Sequence, residues 1–360
     1  GWQASIDFNP AGRNTGLYRH GNGKKKGKNN SSLDDDKTQA ALRLLIAVDQ
    51  ALEFRNERIH EGTLYAIDHL LTAQFPNGGF PQVWREPVPH EAIVKASFPD
   101  YDWRTEGRIK EYWDYYTLND GLAGTVTETL WQAWETYQDQ RCREAVLKLG
   151  DFLILAQLPE PQPAWAQQYN FQLQPMWARK FEPPAITGSE TQDVISTLLF
   201  IAEKTGEQRF LTPIPAALRW MERSELPDGQ MARFYELQTN RPLYMTRNTY
   251  ELTYDDSDLP THYGFKVGSD RQRLQAEFDR VSRGKKAETR GTSVKTLAKN
   301  AARVVLELDA EGRWITSHDG KPLVGQPKLK PGEQFISSRV FCQNLRRLGD
   351  YVMAAHRNER

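Results

Sequence analysis

Two short acidic runs and a scatter of arginines are the residues best equipped for chemistry. SSLDDDKTQ sets Asp34, Asp35 and Asp36 ahead of a helix-like stretch, and YYTLNDGLAG sets Asn119 and Asp120 at the start of another. One acid is enough to cap a helix and complement its dipole. Three adjacent acids repel one another unless a cation sits among them. Two acid-bearing helix starts facing one groove would make an oxygen-rich site, and such donors favour Ca2+ or Mg2+ over zinc or copper. Arg179 stands in QPMWARKFEPP, a setting of prolines and large aromatics that would hold it stiffly. Arg233 and Arg247 flank the turn signal TNRP, so a hairpin could present both guanidinium groups to one place. Read singly, each is a surface charge or a structural partner. Read together beside an acid-bound cation, they suit a polyanionic carboxylate, because a guanidinium binds a carboxylate through two parallel hydrogen bonds.

Other chemistries lack their residues. The chain has no glycine-rich phosphate loop, no GxSxG elbow and no HExxH pair, and its seven histidines show no ligand spacing. Paired carboxylates leave a glycoside hydrolase open. The 47 basic and 47 acidic residues balance to zero, so no global field exists to hold nucleic acid and any anion site must be local. The dense run of Lys24, Lys25, Lys26 and Lys28, with Gly, Asn and Ser around it, reads as a solvated loop. Ten Trp, 14 Tyr and 15 Phe are a heavy aromatic load, of the kind that accompanies carbohydrate grooves as well as cores. Trp165, Trp177 and Tyr235 are the rings expected to meet substrate. Cys142 and Cys342 define neither a disulfide framework nor a zinc site. No run of 18 apolar residues predicts a membrane span, and no signal peptide is visible.

The elements that must position these residues are helical. Apolar spacing predicts helices over 37–54, 63–75, 120–137, 142–158, 189–205, 213–226 and 336–356. Asp34–Asp36 and Ser189 are read as N-caps. Loops rich in Gly, Pro and aromatics separate the helices: FPNGGFPQVW, QPAWAQQY and LPDGQMARFYE. The recurring order of helix, then Gly or Asp-Gly, then aromatic predicts helix hairpins in an α/α toroid, an incomplete α/α barrel whose helix ends line a groove. Small β segments are expected in RFYELQTNRPLYMT and VVLELD, and the irregular segments 83–115 and 228–335 are expected to form long loops over the groove.

LDDDKTQAALRLL, LLTAQFPNGGFPQ, YYTLNDGLAG, AWAQQY, MWARKFEPP, TGSET and ARFYELQTNRP occur in that order, and together they resemble the family 10 polysaccharide lyases, the pectic acid lyases. The resemblance runs from about Trp2 to Tyr351. It implies one catalytic domain over 1–360, a polygalacturonate substrate, Ca2+ dependence and β-elimination. It also implies a secreted or periplasmic monomer that has no nucleic-acid or membrane partner. Asp34 falls on the family's acid before the first helix, and Asp120 on the acid of its ND motif. With Asn119, they are the expected Ca2+ ligands. Arg179 falls on the arginine of WAR, which looks like the family's catalytic base, and Arg233 and Arg247 fall on arginines that bind the substrate carboxylate. Two departures stand out: Asp35, where the family usually has Asn, and a longer segment over 83–116. The opening GWQASIDFN reads like the middle of a domain, so the family's first helices are expected before Gly1.

The implied chemistry removes the proton from C5 of a uronate, alpha to a carboxylate, so that the O4 leaving group departs and a 4,5-unsaturated end remains. Neutralising that carboxylate stabilises the enolate. An arginine has a reference pKa above about 12, and neighbouring cations are expected to push Arg179 down. Pro175, Trp177, Pro183 and Pro184 are expected to fix it. Three alternatives stay open: a lyase for another polyuronate, a hydrolase on the same barrel, and a non-catalytic binding protein.

Overall fold

The computed structural model describes residues 2, 30–85, 93–105, 109–286, 292–320 and 329–358. The lysine-rich run at 24–28 lies outside the described residues. The chain divides into two compact units, 1–286 and 287–360, where the sequence led us to expect one domain.

Among the described residues of the first unit, seven α-helices follow in hairpins: α1 (Lys37–Ala51), α2 (Glu57–Thr72), α3 (Leu122–Tyr137), α4 (Gln140–Leu155), α5 (Gly188–Thr205), α6 (Ile214–Ser224) and α7 (Arg271–Ser282). Odd-numbered helices pack on one another in sequence, α1 on α3, α3 on α5 and α5 on α7. The even-numbered helices back them: α2 packs on α1, α4 on α3 and α6 on α7. This is the α/α toroid arrangement. Burial follows position along the inner row. Five of the 15 residues of α1 are buried, whereas 11 of the 18 in α5 are, as expected of a helix covered on several sides. Side-chain caps start two outer helices, with Asn56 Oδ1 accepting from the Ile59 amide and Asp139 from the Arg141 amide.

The inner helices start differently. Asp34–Asp36 and Asn119–Gly121 are one-turn 3-10 segments that lead into α1 and α3. Their backbones match residue for residue. Asp35 (φ 48°, ψ 36°) corresponds to Asp120 (54°, 35°), and Asp36 (60°, 20°) to Gly121 (65°, 23°). Leu33 and Leu118 precede them with helical angles. Even the partners repeat: the Leu33 amide donates to Gln82 O at 2.8 Å, and the Leu118 amide to Gln167 O at 2.9 Å. None of the acids caps α1 or α3 through its side chain, contrary to the sequence reading, because the left-handed turn aims those carboxylates away from the helix amides. Helix α5 likewise begins at Gly188, with Ser189 already inside it and Thr187 at the cap position.

A four-stranded antiparallel sheet, in the order Ile186–Thr187, Phe234–Tyr235, Pro242–Met245 and Leu252–Thr253, runs into the start of α5. Gly188 is required there: a Cβ on it would lie 2.4 Å from Ala232 O, and its amide donates to Arg233 O at 3.0 Å. That approach sets Arg233 against the first turn of α5. The TNRP hairpin forms as the sequence indicates. Within the segment expected to be irregular, residues 271–282 form α7, hidden in the sequence because RQRLQAEFDRVS buries only Leu274 and Val281. The VVL of VVLELD is helical instead of a strand.

In the second unit, that stretch closes α8 (Val294–Leu306), which packs on α9 (Ser338–Asn358). A two-stranded ribbon, Thr316–Ser317 with Gln334–Phe335, accompanies them, and the Trp314 indole donates to Val304 O at 2.8 Å. Cys142 is buried and Cys342 exposed, and both are free thiols.

Replacing Gly188 with Ala should cost about 1–3 kcal/mol, since backbone must move to admit the methyl group. Urea unfolding compared with the unsubstituted protein checks this.

Candidate active site

The inner-helix starts bring three carboxylates together. Asp34, Asp35 and Asp120 each offer an oxygen within 4.8 Å of the others. Left-handed backbone at Asp35 and Asp120 costs of order 1–3 kcal/mol per residue, and it persists where the surroundings enforce it. Here Arg43 of α1 binds Asp36 Oδ2 at 2.5 Å while also donating to Thr129 Oγ1 and Thr125 O of α3. Gln39 donates to Leu33 O and Thr125 Oγ1. The two turns are thereby tied to each other through α1 and α3.

Crowding has an electrostatic signature. Asp120 is open to solvent yet hemmed in by protein. Partial burial first, then the charges of Asp35, Asp34 and Glu190, push its pKa up to about 6, with Arg233 opposing. A tethered cation already answers part of the charge: Lys37 Nζ lies 2.9 Å from Asp34 Oδ2 and 3.0 Å from Asp35 Oδ2. Gln82 donates to Asp34 Oδ1 at 2.5 Å. Asn119 donates to Asp120 Oδ2 at 2.6 Å, and its own Oδ1 is buried with no partner among the described residues. The expected ligands Asp34, Asp120 and Asn119 are therefore neighbours. The sequence reading left Asp35 out of this group, although its match to Asp120 in the repeated turn brings it into the cluster.

Arg233 adjoins this cluster. Its Nη2 lies 3.2 Å from Oε1 of Glu190, a fully buried acid in the first turn of α5. Glu190 Oε2 and Arg233 Nε have no hydrogen-bond partner among the described residues. Asp193, one turn further along α5, is pushed up to about 7 by partial burial and by Glu190, with Arg233 again opposing.

Arg179 is fixed by a group the sequence reading did not name. Glu182, 2% exposed, accepts from Arg179 Nε at 2.7 Å, from Nη2 at 2.5 Å and from the Arg179 amide at 2.9 Å. Nη1 has no such partner among the described residues. Proline and tryptophan contribute to the loop rather than to the guanidinium. Tyr101 of the 83–116 segment donates to Pro175 O, and the Trp177 indole donates to Trp103 O at 2.7 Å. The expectation of a lowered pKa is overturned. Burial works to lower the proton affinity of Arg179, but the Glu182 carboxylate more than reverses it, and the guanidinium is held above the usual arginine range.

Tyr263 joins the two arginines. Its hydroxyl donates to Glu182 Oε1 at 2.9 Å, and its ring centre lies 4.4 Å from the Arg233 guanidinium carbon and 5.3 Å from that of Arg179. The Tyr112 phenol, raised first by burial, feels Glu182, Arg179, Asp34 and Asp120 together, so the arginine end and the acid end share one field.

Three expected site residues stand elsewhere. Arg247 pairs with Asp258 at 2.6 Å in the open, and among the described residues no contact joins it to Arg179, Arg233 or the acids. Trp165 is 0% exposed and donates to Leu153 O, and Tyr235 is 1% exposed and donates to Ser224 O. Both are core residues, since a ring sealed from solvent cannot stack on a sugar. Trp177 is half-buried at the loop that carries Arg179.

A family model described as pectic acid lyase matches residues 1–232. A family 10 polysaccharide lyase from Cellvibrio cellulosa superposes with a TM-score of 0.58 at 21% identity, over 78% of this chain and 87% of that one. A point mutant of the family 10 polysaccharide lyase from the same organism, solved in complex with trigalacturonic acid, gives 0.57 at 20% identity, over 78% and 88%. At such identities the structural likeness shows the fold. No curated protein matches this chain.

Trp165→Ala should destabilise the protein by about 3–5 kcal/mol through the cavity it leaves. Tyr235→Phe should leave saccharide affinity unchanged. Thermal unfolding and binding titration of the two variants check these outcomes.

Proposed function

Since the chain belongs to the pectic acid lyase family and is a polysaccharide lyase, we propose that it cleaves polygalacturonate by β-elimination at the site built from Asp34, Asp35, Asp120, Arg233 and Arg179. The observation that carries this reading is geometric: three carboxylates crowd within 4.8 Å at the starts of α1 and α3, Arg233 is paired with buried Glu190 at the start of α5, and the ring of Tyr263 lies against both Arg233 and Arg179. Every residue in the scheme lies within 1–286.

The acid trio fits a hard divalent cation. Its donors are all oxygen, Asp120 is pushed up first by partial burial and then by the like charges around it, and Asn119 Oδ1 has no partner among the described residues. Asp34, Asp35 and Asp120 would hold Ca2+, with Asn119 behind Asp120. When bound, Ca2+ would neutralise the carboxylate of a galacturonate and so acidify the proton on C5.

The rest is done by the chain. Arg233, partly exposed and held through Nη2 by Glu190, binds the same carboxylate and spreads the enolate charge. Glu182 holds Nε and Nη2 of Arg179, leaving Nη1 directed to substrate. In its neutral form Nη1 accepts the C5 proton. The electrons of the broken C5–H bond form the C4–C5 double bond, the C4–O4 bond breaks, and the leaving oxygen takes a proton from solvent. Because Glu182 keeps the Arg179 pKa high, the neutral fraction grows about tenfold per pH unit below that value. The rate should therefore climb with pH into the alkaline range. No helix among the described residues is long and apolar enough to cross a membrane. The polymeric substrate proposed here would place the enzyme outside the cytoplasm.

Arg179→Lys should retain polygalacturonate binding and lose most turnover, measured as ultraviolet absorbance of unsaturated product. Equal loss of binding and turnover, or a rate maximum near pH 5, would remove Arg179 from the role of base. By calorimetry, Asp35→Asn should weaken Ca2+ binding about 10–100-fold, whereas Lys37→Met should tighten it by removing the competing ammonium.

A further inference from the structure

Tyr263 lies beyond the 1–232 segment that matches the family model, in a stretch expected from sequence to be an irregular loop. The strand Lys266–Gly268 pairs with Gln230–Ala232 and anchors it, and the Arg233 amide donates to Phe265 O at 2.8 Å. The Tyr263 ring packs against Phe181, Phe234 and Phe265. A ring fixed on three sides is a rigid platform, and its free edge carries the hydroxyl that reaches Glu182 Oε1.

We propose that Tyr263 is a positioning residue for the elimination: its ring seats both guanidinium groups, and its hydroxyl draws charge from Glu182 that would otherwise fall wholly on Arg179. The inference rests on the reading of Arg179 as base. Glu182 is buried and ionised, and its oxygens are shared between Arg179 and the phenol. A donated O–H stabilises a carboxylate and leaves it less dependent on its cation. The charged and titratable groups around this pair are Arg233 and Glu190 on the α5 side, and Tyr112 from the segment before α3. Gln167 Oε1, at 3.3 Å, is the longer, competing acceptor for the same phenol proton. With the hydroxyl gone and the ring kept, Glu182 leans on Arg179 alone. The guanidinium then holds its proton more tightly, and fewer molecules carry the neutral base at any given pH.

The test compares wild type, Tyr263→Phe, Glu182→Gln and the double variant on polygalacturonate with Ca2+, each across a pH series. Tyr263→Phe should lower kcat about tenfold at every pH below the Arg179 pKa, with KM within about twofold and the slope of log kcat against pH unchanged. In the Glu182→Gln background the same change should have no further effect, because the hydroxyl acts through that carboxylate. A rise in KM with kcat intact would overturn the proposal, as would full additivity of the two substitutions. A lower melting temperature with unaltered kinetics would make Tyr263 a packing residue only. Wild type that forms no unsaturated product would defeat the lyase reading itself, whereas active wild type with kinetically silent Tyr263→Phe defeats only this role.

Discussion

Three carboxylates within 4.8 Å of one another make an arrangement that a chain does not adopt without restraint. Two acids at this spacing repel by roughly 1 kcal/mol in water and several times that where water is partly excluded. Much of the surrounding construction answers that repulsion. The trio lies at the N-terminal ends of α1 and α3, where helix dipoles favour negative charge. Lys37 bridges Asp34 and Asp35, Arg43 takes Asp36, and Arg233 lowers the burden on Asp120. Asp120 is still pushed up, by partial burial first and by Asp35, Asp34 and Glu190 after it, and a divalent cation among the three carboxylates would relieve the repulsive part.

Nearby, the pairings run with the signs reversed. Arg179 and Arg233 are each held by a buried glutamate, Glu182 and Glu190, and share the ring of Tyr263. A buried ion pair is weak ground for stability, since desolvation offsets much of the attraction, but it fixes orientation. Orientation is what a proton transfer from C5 demands of a guanidinium. In the proposed elimination Glu182 would work in two opposed directions: it would aim Nη1, and it strengthens the hold of Arg179 on its proton. A base of such proton affinity would be seldom neutral and would suit catalysis at alkaline pH.

Much of this was legible in the sequence, because inner helices with wide apolar faces announce themselves. The toroid followed from helices such as 189–205 and from loops that recur in the same place. Asp34, Asp120, Arg179 and Arg233 were named from residue type and motif. What failed was whatever depends on burial or on pairing across the chain. Trp165 and Tyr235 are aromatic in sequence, and only packing shows that they are sealed. Asp35 looked like one more acid until the repeated left-handed turn matched it to Asp120. Glu182 stands three residues from Arg179 in RKFE, a charge pair written in the sequence, but its burial and its grip on the guanidinium come from the fold. Tyr263 had no local signal for its role, since the groups that give it one, Glu182 and Arg233, stand 81 and 30 positions earlier.

The most direct test follows the hydrogen on C5. Polygalacturonate deuterated at C5 should be cleaved with a primary isotope effect on kcat, release its deuterium to solvent and yield a 4,5-unsaturated end. Saturated reducing ends that keep the C5 deuterium would contradict elimination at this site and leave the carboxylates and arginines serving hydrolysis or binding instead.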